Sequence, residues 1–416
     1  MVSKGIDIFN KYKILIKNFG YLTIIKAFNL ILPLVIFPYL LQVLGATNYG
    51  FVVFAESIVA YFVIFIGFGF ALSATKEASI HRDNPKKLNE IVSNVYTIKG
   101  ILFFISVICV FCFSNLFFEQ KEYQILLLIT MHLALYEFLF PFWFFQGIEK
   151  MKYITYLDLI NRSFFVVLIL AFIKSPDDFI LVPTLQSIGS IISIILSFYI
   201  LYKKENIRFV MPSISSLTQY TKESLLYFTS TISIQIFTNS NRFLIGSFIG
   251  VSSLAYYDIV EKIIKILSVP TTIFRTVLIP YVNKTKDKKI VRTVTKIMTL
   301  SSVLIIIGVW LFANQVIYFL TKEHNLKTIY YLKLYSVIIL FYNLSNYYLV
   351  VSINAFGYQK LFMKMMLSSV VLYSFLILII FFNNLFFVDY FILTLIIVEL
   401  FIVCATYYIS YKKKLL

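Results

Sequence analysis

Apolar residues fall into twelve long stretches, near 20–44, 49–73, 97–116, 122–146, 153–174, 178–202, 223–250, 256–282, 297–319, 328–356, 361–382 and 386–411. Each reaches the ~20 residues that a helix needs to cross the hydrocarbon core of a bilayer. Polar residues gather in the short intervals between them, and no interval on the outer side exceeds about ten residues. The pattern predicts an all-α membrane protein with twelve transmembrane helices. Ahead of the first stretch, residues 6–19 set Ile8, Phe9, Tyr12, Ile16 and Phe19 against Lys11, Lys13 and Lys17. That spacing predicts an amphipathic helix lying in the membrane interface.

The basic residues orient the stretches. With Lys99, Lys174 and Lys364, near the ends of their stretches, counted in the adjoining intervals, the intervals on one side and both ends of the chain hold 26 of the 37 Lys and Arg; those on the other side hold four, and seven lie within the stretches. Such asymmetry predicts that both termini are cytoplasmic and that the span count is even. In one larger cytoplasmic interval, Asn84-Pro85 reads as a helix cap followed by a first-turn proline. Leu88, Ile91, Val92 and Val95 form an apolar stripe behind it.

A faint repeat runs through this pattern. Gly45 and Gly250 each end a stretch, Glu56 and Glu261 each follow eleven residues later, and Ile58 and Ile263 come next, all 205 residues apart. Six plus six helices of the same topology imply two parallel repeats around a central cavity. The expected organisation is an interfacial segment 1–19, an N-lobe 20–203, a cytoplasmic linker 204–222, a C-lobe 223–411 and a basic tail 412–416.

Composition agrees. The 416 residues are 60% hydrophobic and 14% charged, with mean hydropathy +0.87, well away from a soluble domain at about 25% charged. A net charge of +17 would suit nucleic acid on a soluble domain, but here it is dispersed through loops, so nucleic acid is excluded as a partner. Cys109, Cys112 and Cys404 all lie within apolar stretches and read as packing residues. No cleavable signal is expected, since the first apolar run is too long and no A-x-A site follows.

Charge inside the stretches carries the candidate chemistry. In 256–282, helical spacing puts Asp258, Glu261, Lys265, Ser268, Thr272 and Arg275 on one face, opposite Val260, Ile263, Ile264, Leu267, Phe274 and Leu278. Lys262 lies in the same stretch. A charge at membrane depth costs about 2.5–3.5 kcal/mol on insertion scales, so this face is expected to turn to a water-filled cavity. Stretch seven carries Thr231, Gln235, Thr238 and Arg242 as a narrow polar stripe. Lys26 precedes Pro33 and Pro38 in stretch one, Glu56 lies in stretch two and Glu137 in stretch four. Asp158 and Arg162 have the i,i+4 order of an intrahelical ion pair, as do Glu261 and Lys265. Asn343, Asn346 and Asn354 stand among tyrosines in stretch ten. His132 reads as a packing residue. Basic groups in a cavity suit an anionic substrate, bound by Arg242, Lys265, Lys262, Arg275, Lys26 and Arg162. Glu261, Asp258, Glu56 and Asp158 are candidate proton or sodium sites. No catalytic set, nucleotide loop or cofactor motif emerges, so energy must come from an ion gradient, the membrane potential or the substrate gradient.

Three segments carry a resemblance: Pro38-Tyr39-Leu40-Leu41-Gln42-Val43-Leu44-Gly45-Ala46-Thr47-Asn48-Tyr49-Gly50, Phe68-Gly69-Phe70 with Leu72-Ser73-Ala74-Thr75-Lys76-Glu77, and Trp143-Phe144-Phe145-Gln146-Gly147-Ile148-Glu149-Lys150-Met151-Lys152-Tyr153. They resemble the Wzx-type flippases of lipid-linked oligosaccharides, in the multidrug/oligosaccharidyl-lipid/polysaccharide exporter superfamily. Asn241-Arg242-Phe243-Leu244-Ile245-Gly246 is similar to a further family segment, with Asn241 where an acid is common. Gln42 stands where relatives often carry arginine. The resemblance implies two six-helix lobes in the bacterial cytoplasmic membrane, flipping undecaprenyl-pyrophosphate-linked sugar repeat units outward for O-antigen or capsule assembly. It also implies membrane lipid, a polysaccharide polymerase and a chain-length regulator as partners. Two rivals are a multidrug antiporter of the same superfamily, which calls for an acidic cavity, and a membrane polymerase or ligase, which calls for a large external loop.

Overall fold

The computed structural model describes residues 2–271, 288–348 and 358–413, and every regular element there is helical. The chain begins with α1 (Val2–Gly67), α2 (Phe70–Ile80), α3 (Pro85–Phe117), α4 (Lys121–Thr130), α5 (His132–Leu139), α6 (Phe142–Gly147) and α7 (Met151–Phe172). A 3-10 turn (Pro176–Ile180) then leads into α8 (Leu181–Tyr199), which is followed by α9 (Ile214–Phe248) and α10 (Val251–Leu267). The remaining helices are α11 (Lys288–Thr321), α12 (Leu326–Ser336), α13 (Ile338–Asn346), α14 (Gln359–Phe382) and α15 (Val388–Lys412). Among the described residues, eight helical stretches are long and apolar enough to cross a membrane: Val35–Ile80, Pro85–Phe117, Lys121–Gly147, Met151–Phe172, Pro176–Lys204, Arg292–Thr321, Met363–Phe382 and Val388–Lys412.

The chain forms two compact units. The first comprises Met1–Ile36 with Ala55–Ile232, and the second Phe37–Phe54 with Ser233–Leu416. α1 therefore contributes to both. It is broken at Gly45, whose φ of 76° and ψ of 166° lie where a side chain would be strained.

In the first unit, α3 changes character along its length. Asn84 caps it by accepting from the Lys87 amide, and Pro85 fills the first turn. Leu88, Ile91, Val92 and Val95 are buried against Phe70, Ala74, Trp143, Phe144 and Phe145. Further along, Ser106 and Ser114 are buried while Phe104, Ile108 and Phe111 are exposed. Small polar residues inside and large apolar residues outside mark a helix whose solvent is lipid. α8 repeats the arrangement: Gly189, Ser193 and Ser197 are buried and Ile188, Ile191 and Ile195 exposed. A Cβ on Gly189 would lie 2.5 Å from the Asn161 carbonyl oxygen, and Ser193 donates to the Leu157 carbonyl at 2.8 Å, so the small stripe lets α7 and α8 approach closely.

Pro141 divides α5 from α6. Lacking an N–H, it leaves the Glu137 carbonyl without its helical donor. Lys99 Nζ, on α3, donates to that oxygen at 2.7 Å and meets the Glu137 carboxylate at 2.7 Å. Tyr96 donates likewise to the Leu139 carbonyl at 2.9 Å. The three cysteines are free and stand on exposed helix faces, not in the packed interior the sequence suggested. His132 is buried with Nδ1 against the Ile129 carbonyl, while Nε2 has no hydrogen bond.

Candidate functional site

Among the described residues, the densest charge cluster lies in the second unit, where α9, α10 and the part of α1 on either side of Gly45 converge. α10 supplies Asp258 and Lys262 one turn apart, and Glu261 and Lys265 one turn apart; both pairs have the acid N-terminal to the base, the favourable i,i+4 order. Lys265 Nζ lies 2.8 Å from Glu261 Oε1, and Lys262 Nζ is bonded to Asp258 Oδ2. α9 adds Arg242 across both acids. Its Nε donates to Glu261 Oε2 at 2.6 Å, and its Nη2 lies 3.0 Å from Asp258 Oδ1. The latter is a charge contact without hydrogen-bond alignment, since Oδ1 has no hydrogen-bond partner.

α1 closes the cluster. The Tyr49 hydroxyl donates to Asp258 Oδ2 at 2.7 Å and accepts from Lys262 Nζ at 3.0 Å. Lys262 also sits 2.9 Å from the centroid of the Phe37 ring, whose face attracts a cation. Three cations thus surround two carboxylates, an excess of one positive charge. The acids are enclosed while the cations reach outward: the Asp258 side chain is 0% exposed, Glu261 4%, Arg242 16% and Lys265 60%. The sequence suggested that the charged face of α10 opens its acids to water; instead Arg242 of α9 and Lys262 and Lys265 of α10 itself wrap them, with Tyr49 of α1. The opposite face behaves as expected, with Val260, Ile263 and Ile264 buried.

A second polar layer adjoins the cluster. Asn241, fully buried, donates to the Phe391 carbonyl at 2.8 Å and accepts from Tyr373 at 2.7 Å. An acid at this position would lose the donor, so asparagine fits both bonds. The Tyr257 and Tyr335 rings stack at 5.8 Å. Ser345 donates to buried Glu399, which no cation meets among the described residues.

Of the residues expected to act together, the structure unites Arg242, Asp258, Glu261, Lys262 and Lys265. Asp158 and Arg162 form their intrahelical pair at 2.9 Å, but on α7 in the first unit. Glu56 is half-buried in the first unit. Arg275 lies outside the described residues, as does the side chain of Lys26. Sequence reasoning missed Tyr49, Phe37, Lys99 and Glu399. Lys99 opens the third apolar stretch and looks like one more loop cation, yet its side chain is only 2% exposed.

The sequence and the fold match known proteins. The family described as "Polysaccharide biosynthesis protein" matches residues 15–286, well over half of the chain. The chain belongs to this family. Two curated relatives, each named "Putative O-antigen transporter", are similar: one from Escherichia coli K12, 25% identical over 59% of this chain, and one from Shigella dysenteriae, 26% identical over 59%. The match spans 60% and 62% of those relatives' lengths. Among solved structures, the fold resembles the lipid II flippase MurJ in an inward closed conformation, with TM-score 0.76 and 15% identity over 94% of this chain and 87% of that one. It also resembles an inward-facing MATE multidrug resistance transporter of the MOP superfamily, with TM-score 0.66 and 14% identity over 92% of this chain and 99% of that one. The chain is a multi-pass membrane protein with a transporter fold of this kind.

Proposed function

We propose that the protein is a flippase carrying undecaprenyl-pyrophosphate-linked oligosaccharide repeat units from the inner to the outer leaflet of the bacterial cytoplasmic membrane, for O-antigen, capsule or exopolysaccharide assembly. The observation that carries this reading is the Arg242–Lys262–Lys265 cluster, three cations gathered on two consecutive helices of a polysaccharide biosynthesis family member. Cations that outnumber their acids suit a pyrophosphate. A multidrug antiporter handling cationic drugs would need the opposite balance.

In this reading twelve spans form two six-helix lobes, 20–203 and 223–411, with both termini in the cytoplasm and a linker at 204–222. The pyrophosphate and sugars enter a central cavity from the cytoplasmic leaflet while the polyprenyl chain stays in lipid. Arg242 and Lys265 replace water around the phosphates, helped by Lys262, Arg275, Lys26 and Arg162. The lobes then rock to open outward. Glu261, Asp258, Glu56 and Asp158 are the candidate sites for a proton or sodium ion coupled to the cycle. A polysaccharide polymerase and a chain-length regulator receive the product. Cells lacking the protein test this reading. They should accumulate unpolymerised lipid-linked repeat units on the inner leaflet; accumulation on the outer leaflet would place the protein after translocation and overturn the proposal.

A further inference from the structure

Glu261 holds two of the three cations of the cluster with one carboxylate, among them Lys265, the most exposed. Its Oε2 meets Arg242 Nε at 2.6 Å and its Oε1 meets Lys265 Nζ at 2.8 Å. Asp258 is engaged differently. It is locked by Lys262 and Tyr49, and Lys262 is closed in by the Phe37 ring. Arg242 also reaches Asp258, its Nη2 3.0 Å from Oδ1, so Asp258 keeps three partners while Glu261 alone holds the open Lys265.

We infer that Glu261 is an internal counter-anion, occupying Arg242 and Lys265 until an anionic lipid pyrophosphate displaces it. This rests on the reading of the cluster as the pyrophosphate site. Charge supports the exchange: a pyrophosphate esterified at both ends carries two negative charges, one on each phosphorus, and Arg242 with Lys265 carries two positive ones. Access supports it too, because Lys265 is 60% exposed and Glu261 4%, so an incoming anion meets the cation first. The displaced carboxylate would be left buried beside the Asp258 carboxylate and the Tyr257 and Tyr335 rings, with no cation to offset its desolvation. It therefore takes one proton from water as the phosphates take Arg242 and Lys265. Substrate binding and proton uptake at Glu261 are one event, and raising the pH, which keeps Glu261 ionised, weakens binding.

The test is equilibrium binding to the full chain in lipid nanodiscs, using as probe a polyprenyl pyrophosphoryl N-acetylglucosamine with a farnesyl-length chain. Wild-type affinity should fall as the pH is raised through neutrality. Glu261→Gln should bind about tenfold tighter at alkaline pH, as expected when a competitor leaves the site free about one-tenth of the time, and should lose the pH dependence. Wild-type affinity independent of pH overturns the inference without any variant. So does Glu261→Gln binding no tighter than wild type while Arg242→Gln loses binding; that result leaves the site reading standing. If Arg242→Gln binds as wild type does, the site reading falls and the inference with it.

Discussion

Thr47 and Ser252 lie 205 residues apart and share a hydrogen bond, Oγ1 to Oγ at 2.9 Å. The same separation lies between Gly45 and Gly250. Both glycines have positive φ, 76° and 120°, and each precedes a helical segment. One turn on, the backbone is closer still: a Cβ on Gly50 would fall 2.1 Å from the Val251 carbonyl oxygen.

If this junction parts during transport, tethering it should stop the cycle. Thr47→Cys with Ser252→Cys, in a background with Cys109, Cys112 and Cys404 changed to alanine, should form a disulfide, since the hydroxyls are already in contact. Surface-glycan export should cease under oxidation and return with reductant. Export that continues with the crosslink complete would show that the junction stays closed throughout.

Gly50→Ala tests the close approach itself. The methyl has no room against a backbone carbonyl, and overpacking of this kind costs about 2 kcal/mol. Thermal unfolding of the purified protein should begin at a lower temperature than in wild type. An unchanged unfolding temperature would mean that the segment after Gly45 packs more loosely than its contacts indicate.

Lys99 tests the broken helix. Lys99→Met removes the donor to the Glu137 carbonyl and the partner of its carboxylate. Half of that pair is partly exposed, so the cost should be near 2 kcal/mol, below the range for a fully buried pair. Adding Glu137→Gln should recover part of the loss, because the stranded charge is then gone. Full stability in the single variant would remove Lys99 as the brace of the Pro141 break.

The helices were legible because a lipid solvent imposes long apolar runs, and the Asn84 cap and the Asp158–Arg162 and Glu261–Lys265 pairs because their partners share one helix. Pairings between helices were not. Arg242 finds its acids on the next helix, and Lys262 meets Tyr49 from 213 residues away. Such contacts depend on how each helix turns about its axis. In a membrane, apolarity fixes that rotation weakly, since outward faces are as greasy as inward ones. The buried stripes of α3 and α8 show this: they are marked by Ser and Gly, not by the large apolar residues that mark a soluble core. Asp258 and Glu261 looked cavity-facing for the same reason. Their burial goes with Arg242, brought by the preceding helix, and with Tyr49, brought by α1.

Transport through the Arg242–Lys265 pair is the central claim, and a leaflet assay in reconstituted vesicles tests it most directly. The measurement is the rate at which a fluorescent polyprenyl pyrophosphoryl oligosaccharide crosses from one leaflet to the other. Wild type should exceed protein-free vesicles clearly, while Arg242→Gln and Lys265→Gln, reconstituted to equal density, should fall to the protein-free rate. Wild-type movement no faster than in protein-free vesicles, or variants that keep pace with wild type, would contradict the account.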